Sequence, residues 1–344
     1  MRAAYIDALG DAASIRCGEL PDPVAARGQA LVRVDAVAVN MVDTYVRSGR
    51  WPTEVAFPLA LGRDLVGSVA AVGPGVTDLE PGQRVWTNSA GYGGRAGASA
   101  ELVVVDRDRL YPLPPAAPPA AAAASDADAD ADAVSFVAAV HPGATAYGAL
   151  IGRARLQAGE RVAVVGANGA VGMCMVQAAA SRGAEIVAVI RDRRAAERLR
   201  ALGATHVVVA EASQAPPAAV AAVGGGVDVF VDASGQVDVG SAAEQLKPRG
   251  RILLIAGLGR VEMELWRLYV RETQILGFVM SGMSTSELAA AAQWINASAA
   301  EQRLSVTIGA VLSFDDAARS HAMLEAGQLP RMADGTVGRL VLRP

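Results

Sequence analysis

The sequence predicts an α/β protein in two domains, a compact β-rich barrel and a doubly wound parallel sheet. Three observations carry this. Residues 1 to roughly 115 hold short β-like runs, "QALVRVDAVAV", "LVGSVAAVG" and "SAELVVVD", punctuated by Gly, Pro and Asp as in a barrel with frequent turns. From about residue 144 short apolar strands alternate with helices. At the first strand-to-helix turn of that region, "RVAVVGANGAVG" (161–172) places glycines at Gly166, Gly169 and Gly172.

The second region reads in order as strands "RVAVVG", "EIVAVI", "HVVVA", "VDVFVDAS", "GRILLIAG" and "QILGFVM". The helix "AVGMCMVQAAASRG" separates the first two, "RRAAERLRALG" separates the second and third, and both end at a glycine C-cap. Apolar strands separated by helices belong to a parallel sheet covered on both faces. Six strands complete such a sheet without the last sixty or so residues. The helical "TSELAAAAQWINASAA" and the strand-like "GRLVLRP" are therefore expected to pack back on the first domain. Between the domains, "PLPPAAPPAAAAASDADADADAV" (112–134) is low in complexity and has no apolar face to bury, reading either as a surface excursion or as a partly helical connector.

A chain of 344 residues is long enough for two domains, each with its own core. Its formal net charge of −4 and 4% aromatic content offer neither the basic face nor the stacking platform of a nucleic-acid partner. Cys17 and Cys174 match no metal spacing and read as buried small hydrophobes. The start "MRAAYIDALG" lacks the apolar core of a signal peptide, and no charge-free stretch reaches the length of a bilayer span. These features predict a cytoplasmic chain without a membrane partner.

A pyrophosphate held by backbone amides needs a close approach that a side chain obstructs, and a helix N-terminus adds oriented N–H donors. Gly166 would end the strand, Gly169 would lie under the phosphates with Ala170 and Val171 opening the helix, and Gly172 would let helix and strand pack closely. Asn168 suits the turn because asparagine tolerates left-handed geometry. An NAD site would place Asp or Glu at the end of the second strand. Here Ile190 is followed by Arg191, Asp192, Arg193 and Arg194. Guanidinium groups pair with phosphate oxygens, so Arg191, with Arg194 second, points to the 2′-phosphate of NADPH. Asp192 either binds the ribose or caps the next helix, the latter leaving Arg193 and Arg194 as solvated charges.

The stretches "NMVDTYVRSGRW" (40–51), "FPLALGRDLVGSVAAVGPGVTDLEPGQRVW" (57–86), "GASAELVVVDRDRLYPLP", "GATAYGALIGRARLQAGERVAVVGANGAVG" and "LRALGATHVV" follow one another in the chain. In that order they resemble the medium-chain dehydrogenase/reductase superfamily, and within it the zinc-free quinone oxidoreductase (zeta-crystallin-like) branch. The resemblance implies a GroES-like β-barrel catalytic domain from both chain ends (1–117 and 282–344), an insert at 118–134, and a Rossmann NADPH-binding domain at 135–281. It also implies a nicotinamide held in a cleft between domains and a homodimer formed through the last Rossmann strand.

Zinc-dependent relatives carry a cysteine where this chain has Asn40, and Gly-His-Glu where it has Gly62-Arg63-Asp64. His141, His206 and His321 show no ligand spacing, the latter two reading as structural or surface residues. What remains is hydride transfer to an electrophile whose growing charge is met by hydrogen bonds, as for a quinone or an α,β-unsaturated carbonyl. By resemblance, Asn40 lies beside the nicotinamide and orients cofactor or carbonyl. Tyr45 either donates a hydrogen bond or proton in the substrate cleft or is an amphipathic wall residue. Trp51 replaces a tyrosine of many relatives and makes that wall more apolar. Arg63 would line the pocket, and Arg63 and Asp64 are expected to pair with each other as structural charges.

Thr145, Ser234, Gly257 and Phe278, the last on the final strand, are implied as ribose or nicotinamide neighbours, and Arg339 as a basic cofactor contact. Val209-Ala210 depart from the Asn-Tyr of many relatives. The tail "GQLPRMADGTVGRL" is longer than the usual link and is expected to reshape the cleft entrance. Two other readings stand beside a quinone or enone reductase: an enoyl-thioester reductase of fatty-acid or polyketide metabolism, and a non-catalytic NADPH-binding sensor or structural protein.

Overall fold

The computed structural model describes residues 1–114, 126–257 and 259–344, without the side chains of 126–131. Two compact units divide the chain. One comprises Met1–His141, Leu288–Pro330 and Gly338–Pro344, the other Pro142–Glu287 and Arg331–Val337.

The first unit begins with β1 (Arg2–Ile6), β2 (Arg16–Glu19), β3 (Gln29–Ala38), α1 (Met41–Arg47), β4 (Leu59–Ala60), β5 (Asp64–Val72), β6 (Arg84–Thr87), β7 (Leu102–Asp106) and β8 (Tyr111–Pro112). In β3 the alternate residues Ala30, Val32 and Val34 are buried, the period of two expected of a strand with one face on a core. This strand pairs antiparallel with β5 and β7 and organises the larger sheet, while β2-β1-β4 form a small one.

Residues 118–125 of the low-complexity insert lie outside the described residues. Residues 126–134 open helix α2 (Asp126–Ala146), which continues through a wider π-helical segment, Tyr147–Arg153. The stretch from Asp132 to Arg153 is apolar enough and, at 22 residues, long enough to cross a bilayer, contrary to the expectation that no segment is. Two-thirds of it is buried inside the protein, however, as in a core helix.

The second unit runs β9 (Arg161–Val165), α3 (Ala170–Ser181), β10 (Glu185–Ile190), α4 (Ala196–Ala201), β11 (His206–Val209), α5 (Ala215–Val223), β12 (Val227–Asp232), α6 (Val239–Glu244), β13 (Leu246–Leu254), α7 (Leu265–Tyr269) and β14 (Gln274–Gly277). All neighbours in the order β11-β10-β9-β12-β13-β14 are parallel. Val162, Ala163, Val164, Val187, Val189 and Phe230 are buried, which is why these strands read as unbroken apolar runs. The strand order reverses between β9 and β12, the switch point where such sheets bind ligands.

Helix α8 (Thr285–Ala300) leads back into the first unit, followed by β15 (Ile308–Ser313), α9 (Ala317–Glu325) and β16 (Arg339–Arg343). β16 pairs antiparallel with β3 and parallel with β15, so the tail joins the barrel sheet as its sequence leads one to expect.

One contact sets the β9–α3 turn. A Cβ built on Gly172 would stand 2.3 Å from the Gly166 carbonyl oxygen and 2.6 Å from the Ala167 Cα. Both are backbone atoms of the turn itself, so even a methyl group must push the helix off the strand. Gly172→Ala is expected to destabilise the second unit by about 1–3 kcal/mol, the cost of overpacking. The control is Gly152→Ala, whose added methyl meets nothing within 4 Å. Thermal unfolding followed by circular dichroism checks this: equal melting temperatures for the two variants would refute it.

Candidate functional site

Gly166 has φ +74°, a conformation that favours glycine, and Gly169 is the N-cap of α3 with no side chain closing the helix end. The first-turn amides of α3, including those of Ala170 and Val171, therefore have no intrahelical acceptor and no capping oxygen. A Cβ on Gly169 would touch only the Gly166 carbonyl oxygen, at 3.4 Å, leaving the space before the helix open. Backbone donors, helix dipole and an open approach together suit a pyrophosphate.

Asn168 departs from expectation. It is not among the residues with positive φ, and its side chain instead donates through Nδ2 to the Gly335 carbonyl at 3.1 Å. After β10, Arg191 is exposed, and Asp192 caps the next turn by accepting from the Arg194 backbone N–H at 3.1 Å. The Asp192 carboxylate also accepts from Arg194 Nε and, at 2.7 Å, Nη2, which holds it below the usual carboxylate range. Of the two readings for Asp192, the structure shows the cap.

The remaining predicted contacts of the second unit follow its strand ends. Ser234 is held after β12 by Asp232 Oδ1, which accepts from its backbone N–H (2.8 Å) and hydroxyl (2.6 Å). Gly257 has φ +101° and abuts Gly235. Phe278 lies one residue past β14 rather than within it, its ring against Gly148, while Thr145 is half-buried on α2.

In the first unit two of the predicted residues, Asn40 and Arg339, meet in a buried polar cluster. Asn40 ends β3's extension and N-caps α1, its backbone N–H donating to Asp43 Oδ2 at 2.8 Å. Its side-chain amide donates to Asp64 Oδ2 at 2.8 Å and accepts from Arg339 Nη2 at 2.7 Å. His141 Nδ1 lies 3.4 Å from Asp64 Oδ1. The expected Arg63–Asp64 ion pair does not form. Asp64, the first residue of β5, turns to Asn40 and His141, while Arg63, in the bend just before the strand, stacks its guanidinium on the Tyr92 ring, 4.9 Å from its centroid. Trp51 Nε1 donates to the same tyrosine's hydroxyl at 3.3 Å. Arg63 is buried, with Nε and Nη1 unpartnered, and burial lowers its pKa against the pull of Asp43 and Asp64. Tyr45 is half-buried on α1 beneath the guanidinium of Arg50.

Sequence reasoning missed Asp43, His141 and Tyr92. Asp43 had a signal, since Asn-x-x-Asp at 40–43 is a helix-start pattern; the other two are brought in by tertiary packing alone. His321 is buried on α9, its pKa pushed down to about 3 by burial and by Arg47, while His206 pairs with Glu185 at 3.1 Å. A cavity of ≈ 390 Å³ in the first unit, bordered by Glu54, Arg95, Asp106 and Arg109, contains none of the predicted site residues.

Burial, then the nearby Asp64 charge, raises the Asp43 pKa to about 7 from its ordinary value of 3.8. Between those values the folded state binds more protons than the unfolded chain, so this carboxyl makes stability fall as pH rises from about 4 to about 7 and level off above. Asp43→Asn keeps an oxygen for the Asn40 N–H but has no proton to lose. Urea titrations should show wild type losing stability relative to Asp43→Asn across that window; a constant difference from pH 4 to 8 would contradict the assignment.

Residues 26–115 match the family described as alcohol dehydrogenase GroES-like domain, and residues 170–297 the one described as zinc-binding dehydrogenase. The quinone oxidoreductase of Mus musculus is 27% identical over 323 residues, 93% of this chain and 90% of the mouse protein. Among solved structures, a mycobacterial protein complexed with NADPH aligns over 100% of both chains with a TM-score of 0.80 and 26% identity. The Escherichia coli quinone oxidoreductase complexed with NADPH, 22% identical with a TM-score of 0.78 over 100% of both chains, shares the fold. The chain is an oxidoreductase of the medium-chain dehydrogenase/reductase superfamily, in its quinone oxidoreductase branch.

Proposed function

We propose that this chain is a zinc-independent, NADPH-dependent reductase of quinones or α,β-unsaturated carbonyl compounds. The observation that carries the cofactor assignment is the uncapped start of α3 behind Gly166 and Gly169, with Arg191 exposed after β10 and Asp192 engaged by Arg194. Bound NADPH supplies a hydride to the electron-poor carbon of the substrate. Arg191 and Arg194 would receive the 2′-phosphate, the α3 amides the pyrophosphate, and Thr145, Ser234, Gly257 and Phe278 the ribose and nicotinamide.

Zinc independence rests on donor chemistry. Where zinc-dependent relatives carry a thiolate and an imidazole, this chain presents a carboxamide committed to Asp64 and Arg339 and a guanidinium stacked on Tyr92. Neither ligates zinc. Asn40 is locked in orientation by those bonds, which suits a positioning role toward the nicotinamide or carbonyl. Tyr45 is assigned as hydrogen-bond donor to the developing oxyanion, and Trp51 and Arg63 are assigned to the substrate pocket. A cytoplasmic homodimer belongs to this reading. The exposed Leu265, Trp266, Tyr269 and Val270 of α7 and its end, next to the edge strand β14, offer the apolar surface that a second copy would cover.

NADPH oxidation with a small quinone, an enone and an enoyl-thioester tests the activity. Turnover is expected with the quinone or the enone; tight NADPH binding without turnover of any of the three would leave only a non-catalytic protein. Arg191→Ala is expected to weaken NADPH by about tenfold, the loss of a charge-assisted hydrogen bond, and to leave NADH nearly unchanged. Equal loss for both cofactors in fluorescence titrations would refute Arg191 as the 2′-phosphate ligand.

A further inference from the structure

Residues Arg331–Val337 belong to the second unit although the chain on either side belongs to the first. They form a tight hairpin. Arg331 bridges Val337 in antiparallel fashion, Met332 N–H donates to the Thr336 carbonyl (3.0 Å), and Gly335 N–H donates to the Met332 carbonyl (2.9 Å). Asp334 Oδ1 closes the tip by accepting from the Thr336 N–H (3.0 Å) and hydroxyl (2.6 Å). Gly335, at φ +79°, and Thr336 are buried although they lie at a hairpin tip, so the tip is packed against something.

It is packed against both loops that a dinucleotide needs. Val337 N–H donates to the Asn168 carbonyl (3.1 Å), and Asn168 Nδ2 donates to the Gly335 carbonyl (3.1 Å), which ties the hairpin to the β9–α3 turn. On its other side, a Cβ on Gly335 would stand 2.9 Å from Asp192 Cγ, 2.9 Å from Arg194 Cβ and 3.0 Å from Ala195 N. No side chain fits there. Charges alternate across this contact: Arg331 acts on Asp192, Asp334 on Arg194, and Arg198 on Asp334.

An aspartate just after the second strand is the residue type that accepts hydrogen bonds from a ribose 2′-hydroxyl. Here its carboxylate is spent on Arg194 and covered by Gly335, with the Asp192 side chain 22% exposed against 60% for Arg194. We propose that the 331–337 hairpin is a cofactor-specificity element. By packing Gly335 on the Asp192–Arg194 pair it withholds Asp192 from a ribose hydroxyl and presents Arg191 and Arg194 to a 2′-phosphate. The inference rests on the NADPH reading above and supplies its structural cause, which lies more than a hundred residues away in the sequence.

Dissociation constants for NADPH and NADH, from equilibrium fluorescence titration, test it without reference to turnover. Wild type should bind NADPH the more tightly; equal or tighter NADH binding by wild type would overturn the NADPH reading before any variant is made. Gly335→Val forces the hairpin off the pair and should lower the NADH-to-NADPH ratio of dissociation constants by about tenfold, one charge-assisted hydrogen bond's worth. Asp334→Ala, an exposed change that loosens the tip, should move the ratio the same way by about threefold, and decides the matter if Gly335→Val does not fold. A wild-type preference for NADPH that both folded variants retain unchanged would overturn the hairpin's role; for Asp334→Ala alone, an unchanged ratio would do so.

Discussion

The organisation of the cofactor unit depends on a backbone contact with no room for a side chain: Gly172 on the first turn of α3 against the carbonyl of Gly166. That contact sets how closely the helix starts behind the strand, and so where its unpaired amides point. It also places Asn168 at the crest of the turn, from where its side chain and carbonyl hold the C-terminal hairpin. The β9–α3 turn, the Asp192–Arg194 loop and the hairpin thus pack together as one assembly. The sheet beneath is the usual frame for such a turn, since its strand order reverses between β9 and β12.

The barrel unit is arranged on the opposite principle, with charge buried rather than backbone exposed. Asp64 is fully buried, and its two oxygens face Asn40 and His141, while Arg339 reaches Asn40 from the last strand. Burying charged groups is costly unless they are paired and hydrogen-bonded, and a cluster of this kind contributes orientation more than stability. The orientation gained is that of Asn40, held by both ends of its amide. Arg63 satisfies part of its desolvation by stacking on Tyr92. The cluster is therefore a rigid polar platform around Asn40.

Much of the fold was legible because its signals are local. Six apolar strands spaced by helices imply a parallel sheet, and the surplus strand "GRLVLRP" had to pack on the barrel, as β16 does on β3. The glycine turn was legible because each of its three glycines answers a separate steric demand. What escaped was side-chain partnership over long sequence distance. Arg63 and Asp64 are adjacent in the chain, which suggested pairing, yet each finds a partner distant in sequence, Tyr92 for Arg63 and Asn40 for Asp64. Asn168 looked like a turn former by residue type, whereas its role is a hydrogen bond to Gly335. The extra length of the tail was visible, but not that seven of its residues leave the barrel unit to cover Asp192. The spanning length of Asp132–Arg153 comes from the helix continuing past the low-complexity insert, and its burial marks it as a core helix.

The proposed reaction passes hydride from NADPH to substrate without a metal. Its most direct test uses enzyme dialysed against a chelator and shown free of zinc, with NADPH carrying deuterium at both C4 positions of the nicotinamide and an enone as acceptor. The account predicts deuterium on the β-carbon of the reduced product, at a rate that added zinc does not raise. Product without deuterium, or activity that returns only when zinc is restored, would contradict it.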